Sequence, residues 1–139
     1  MIRLKRISNN LFLKLSFLIS GLYNISAGIF LLFFGEFVSS FFEVQKPELI
    51  FIQIIALFLI VVGYFLVYAA QNPQRLAIIG FGSVVTRLGY FLIVILTLIS
   101  QGLEIVYLLF GLIDAIIALI ILIPLILTEG VSWRQLWHF

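Results

Sequence analysis

The chain has 139 residues, 64% of them hydrophobic and only 10% charged, with a mean hydropathy of +1.30 and a formal net charge of +2. Soluble domains average roughly 45–50% apolar and about 25% charged residues, so this composition excludes one and indicates a membrane protein. With no cysteine, disulfides and thiolate metal sites are excluded as well. Most basic residues lie at the edges of apolar runs, where membrane insertion accounts for them, and nucleic acid is not an expected partner.

Arg3, Lys5 and Arg6 precede the first apolar run, which extends from about residue 11 to 34. Basic residues before an apolar run also mark signal peptides, but this run has no clear small-x-small cleavage site, so we read it as an uncleaved first span. Within it Ser20, Asn24 and Gly28 recur every four residues, with Gly21 adjacent. The segment FGEFVSSFFE, residues 34–43, sorts Phe34, Phe37, Val38, Phe41 and Phe42 to one side of a helix and Glu36, Ser39, Ser40 and Glu43 to the other. That pattern suits an interfacial helix, or equally an extension of the first span beyond the membrane.

The second span is expected over 49–70, the third over 77–100 and the fourth over 104–127, each long enough to cross a bilayer as a helix. Pro47 and Pro73 fall where helices should start or stop, and Pro124 should loosen the last turns of the fourth by leaving the Ile120 carbonyl without its helical donor. Four strands could not close a barrel, so the expected fold is all-α: an integral membrane four-helix bundle with no soluble domain. The basic residues of the N-terminal segment, the second connector (Arg75) and the tail (Arg134) predict both termini on the cytoplasmic side of the cell's inner membrane. Trp133 and Trp137 in the tail suit interfacial anchoring. No internal repeat and no heptad series is evident.

Two full charges fall near mid-span, Arg87 in the third helix and Asp114 in the fourth. A lone charge at that depth costs about 2.5–3.5 kcal/mol on insertion scales, so each needs a partner. A short turn joins the two helices, which must therefore run antiparallel side by side. At about 1.5 Å per residue, Arg87 lies roughly 20 Å below Ser100 and Asp114 roughly 15 Å below Glu104, a mismatch within an arginine's reach. Gly80, Ser83, Tyr90 and Thr97 share the Arg87 face; Tyr107, Gly111 and Ala118 flank Asp114; Gln53, Ala56 and Tyr64 share a face of the second helix. The expectation is that four polar stripes converge on the bundle interior, making Asn24, Gln53, Tyr64, Ser83, Arg87, Tyr90 and Asp114 the structural or ligand-binding candidates.

Catalytic and metal chemistry find little support. The only histidine is His138, which excludes paired-histidine haem ligation, and one intramembrane aspartate cannot form an acid dyad. No metal site and no cofactor held by this chain's own ligands is expected, and an enzyme acting alone is not expected either.

In layout the chain resembles the small four-helix bacterial membrane proteins of the DoxX-like group, on GLYNISAG, a second helix ending VVGYFLVYAAQNPQR, the arginine-glycine step in TRLGYF and the acidic residue in GLIDAII. That resemblance implies a partner-dependent role, as in membrane oxidoreductase assemblies, although the cysteines of the thiol-handling relatives are missing. The first functional expectation is a noncatalytic integral membrane subunit or stabilising partner of a larger membrane complex, in contact with the lipid bilayer and other subunits. The alternatives are a binder or carrier of a lipophilic molecule such as a quinone, lipid or pigment, and an accessory subunit of a membrane oxidoreductase.

Overall fold

A computed structural model describes residues 2–41, 49–101 and 105–128. Four helices follow in chain order: α1 (Ile2–Phe41), α2 (Leu49–Ala69), α3 (Ala77–Gln101) and α4 (Ile105–Leu127). No strand occurs among the described residues. Each helix contains a stretch long and apolar enough to cross a membrane: Asn10–Val38, Ile50–Ala69, Ala77–Ser100 and Tyr107–Leu127.

Residues 34–41 are the last turns of α1 and not a separate element; residues 42 and 43 lie outside the described part, as do both tryptophans. At about 1.5 Å per residue the 40 residues of α1 measure roughly 60 Å, twice the hydrocarbon thickness of a bilayer. α2 ends where the sequence QNPQR interrupts it. The chain turns there through bonds from the Gln71 amide to the Tyr68 carbonyl (3.1 Å) and from the Leu76 amide to the Asn72 carbonyl (3.1 Å), around a buried Pro73. α4 continues through Pro124, whose own carbonyl accepts from both the amide (3.0 Å) and the hydroxyl (2.7 Å) of Thr128.

Packing pairs α1 with α2 and α3 with α4, with α1 also lying on α4 and α2 touching α3 lightly. The α1–α2 contact is built on residue size. Gly21, Gly28 and Gly35 recur every seven residues on α1, and Ala56 and Gly63 on α2, with Ala70 just past its end, do the same. Gly28 lies so near α2 that a Cβ there would be 2.6 Å from the Ala56 carbonyl oxygen. This is a seven-residue series, contrary to the sequence expectation of none. It escapes a search for alternating polarity because both faces of a membrane helix are apolar, and the signal lies in side-chain volume.

The joint core of all four helices comprises Leu13, Phe17, Ala69, Ala70, Ala77, Val84, Ile117, Ala118, Ile121 and Leu125. These residues occupy the half of the bundle that contains the α2–α3 connector. A Cβ at Gly80 would collide with the ring of Phe17, so the absence of a side chain on α3 is what admits this fully buried phenylalanine.

Candidate polar site at mid-membrane

The polar residues of α1, α3 and α4 meet directly above that core. Leu13 and Phe17 precede Ser20 and Asn24 on α1, Val84 precedes Arg87 on α3, and Asp114 precedes Ile117 and Ile121 on antiparallel α4. Each helix therefore delivers its polar group about one turn beyond its last joint core residue. The cluster forms the boundary layer of the core, not its centre.

Arg87 is the hub, 6% exposed. Its Nη1 faces Oδ1 of Asp114 on α4, and its Nη2 donates to Oδ1 of Asn24 and, at 3.4 Å, to Oγ of Ser20, both on α1. Ser20 and Asn24 are buried, whereas the Asp114 side chain is 27% exposed. The Tyr23 ring lies 5.7 Å from the guanidinium carbon, a cation–π arrangement that is stronger away from water. Buried Nε of Arg87 has no hydrogen-bond partner among the described residues.

Of the seven residues singled out from sequence, the structure brings Asn24, Arg87 and Asp114 together, places Ser83 in the interior one turn before Arg87, and sets Tyr90 at the rim, 37% exposed. Gln53 and Tyr64 do not join them. Gln53 is exposed and Tyr64 is 62% exposed, with its ring edge-on to Phe65 (centroids 5.9 Å apart). The expected fourth polar stripe is thus absent from the interior, because the rotation of α2 is fixed by its small residues. Gly63 must face Gly21, and at about 100° per residue Tyr64 and Gln53 are then both turned about a quarter of a circle away, to the same side.

Thr97, on the expected α3 stripe, also stays out of the cluster, since its hydroxyl donates to the Ile93 carbonyl one turn back (2.8 Å). Conversely, sequence reasoning left out Tyr23 and gave Ser20 no role. The available signal was their position one turn apart beside Asn24 on α1, facing a helix that carries an unpartnered arginine.

Among the described residues no three histidine, cysteine, aspartate or glutamate side chains gather to hold a metal. Chemically the cluster offers one guanidinium, one carboxylate, an amide, a hydroxyl and phenols, a set suited to hydrogen bonding and charge neutralisation. No protein family, curated protein or solved structure matches the chain.

Proposed function

We propose that this protein is a noncatalytic subunit or stabilising partner within a larger membrane complex, embedded in the inner membrane with both termini cytoplasmic. One observation carries the reading: Arg87 reaches from α3 to both α4 and α1, so the strongest polar groups of the bundle are engaged in joining its own helices. In this role Arg87 and Asp114 act as an intramembrane ion pair, closing the cost of two charges in hydrocarbon and fixing helix register. The outward faces of all four helices present large apolar side chains, among them Phe33 and Phe37 on α1, Phe58 on α2, Ile93 and Ile99 on α3 and Ile116 on α4. Such faces pack against lipid or another transmembrane helix with equal ease, because association in a bilayer rests on shape and van der Waals contact.

Purification of the full chain from its native membrane in mild detergent tests this. Stoichiometric membrane proteins should accompany it through size-exclusion chromatography, and removal of the bundle by gene deletion should lower their abundance. A chain that elutes alone, with no partner changing in its absence, contradicts the reading. Reporter fusions at each terminus test the orientation separately.

A further inference from the structure

The end of the bundle that holds the α2–α3 connector gathers positive charge. Among the described residues it carries five basic residues, Arg3, Lys5, Arg6 and Lys14 of α1 and Arg75 of the connector, and no acidic one; the first acid along α1 is Glu36, at the opposite end. Helix register brings two of the five to one place. Gly21 lies against Gly63 and Gly28 against Ala56, so in this antiparallel pair Lys14, seven residues before Gly21, comes level with Ala70, seven after Gly63. The residues around Lys14 agree with that level: Leu13 shares the core with Ala70 and Ala77, and Phe17 fills the notch at Gly80. The apolar stretch of α2 ends at Ala69 and that of α3 begins at Ala77, so Lys14 stands beside the connector that contains Arg75, where both helices reach the membrane surface.

Lys14 and Arg75 are both exposed, as are Gln71 and Asn72 of the same connector. Neither cation has an ion-pair or hydrogen-bond partner among the described residues. Insertion explains why basic residues collect at one end of a membrane protein. It does not ask that two of them flank a single turn, unpaired, at the depth of the lipid phosphates.

We propose that Lys14 and Arg75 hold the phosphate of an anionic phospholipid against the α2–α3 connector. Charge complementarity selects an anion: the ammonium and the guanidinium are both donors, and no carboxylate among the described residues of that end competes for them. The exposed amides of Gln71 and Asn72 add neutral donors for the remaining headgroup oxygens. Apolar surface selects a lipid over a free phosphate ion. On the Lys14 face of α1, Leu18 one turn deeper is partly buried and Leu22 two turns deeper is 57% exposed, a track along which an acyl chain lies once its phosphate is held. The site shares no residue with the Arg87 cluster and comes entirely from one chain, so it stands apart from membership in a complex.

The test uses the full chain in phosphatidylcholine nanodiscs with phosphatidylglycerol bearing a diazirine near the top of one acyl chain, labelled positions being mapped by mass spectrometry. Labelling should saturate and concentrate near residues 14–22 and 71–76, and unlabelled phosphatidylglycerol should compete where added phosphatidylcholine does not. Lys14→Gln with Arg75→Gln should raise the half-saturating lipid fraction at least about tenfold, since each cation at a membrane surface is worth about fivefold. Lys14→Arg with Arg75→Lys should bind as the parent does, and Arg3→Gln with Lys5→Gln and Arg6→Gln should retain most of the binding. The altered side chains of the first variant are exposed and Arg3, Lys5 and Arg6 remain to direct insertion, so its thermal unfolding in neutral detergent should match the parent. Inorganic phosphate should displace the lipid no better than chloride at equal ionic strength. Labelling that does not saturate, equal competition by phosphatidylcholine, unchanged binding in the first variant, an equal loss in the N-terminal triple variant, or displacement by phosphate beyond that by chloride would each overturn the proposal.

Discussion

Gly21 of α1 and Gly63 of α2 face each other reciprocally: a Cβ on Gly21 would lie 2.8 Å from the Gly63 carbonyl oxygen, and one on Gly63 would lie 2.6 Å from the Gly21 carbonyl oxygen. In both directions the obstacle is backbone, which cannot rotate aside as a side chain can. Gly63→Ala should therefore push the two helices apart and lower stability by about 1–3 kcal/mol. Gly82 and Gly89 have no atom within 4 Å of a built Cβ, and alanine at either should leave stability unchanged or slightly raised. Thermal unfolding of the four proteins in one detergent checks the contrast.

Asp114→Ala removes the carboxylate beside Arg87 and leaves a buried guanidinium with only the neutral oxygens of Asn24 and Ser20. The expected loss is about 3–5 kcal/mol, the usual consequence of breaking a buried pair from one side. Arg87→Met combined with Asp114→Leu should recover most of it, because no charge is then left in hydrocarbon. Steric-trap unfolding in bicelles reads both; a double variant as unstable as the single one would reject the pairing.

The two α1 acceptors should be unequal. Ser20 lies at 3.4 Å from Nη2, near the limit of a hydrogen bond, whereas Asn24 is the nearer partner of the same nitrogen. Asn24→Ala should cost about 1.5–3 kcal/mol, as for a hydrogen bond to a charged group, and Ser20→Ala less than about 1 kcal/mol. Disulfide trapping between cysteines introduced on α1 and α4 should also show looser contact in the asparagine variant.

Phe17 is fully buried in the notch left by Gly80. Phe17→Ala should destabilise the half of the bundle that holds the joint core, though by less than the roughly 3–5 kcal/mol seen in water-soluble cores, because unfolded helices in lipid retain apolar surroundings. Hydrogen exchange should rise at Val84 and Ile121 and change little at the far end of α1 and α2.

Gln53→Leu and Tyr64→Leu should both fall within about 0.5 kcal/mol of the parent, as expected for exposed positions. A large loss at either position would return α2 to the polar interior from which the structure excludes it.

The amino-acid sequence by itself determined that four apolar helices exist, where α2, α3 and α4 begin and end to within a residue, and that Arg87 needs a partner of opposite charge, whereas α1 runs well past the expected 11–34 at both ends. These follow from local chemistry: unbroken hydropathy sets the length of a span, proline in a connector bounds it, and hydrocarbon admits no isolated charge. Helix rotation is a different kind of quantity. When lipid and protein interior are equally apolar, polarity no longer says which face turns inward, and the choice passes to shape. Gly21, Gly28 and Gly63 set that choice for α2 by allowing backbones to touch, which carried Gln53 and Tyr64 outward; only three-dimensional packing could weigh those contacts against two isolated polar side chains. The same packing put Tyr23 over the arginine, a pairing between helices α1 and α3 distant in sequence that no local pattern encodes.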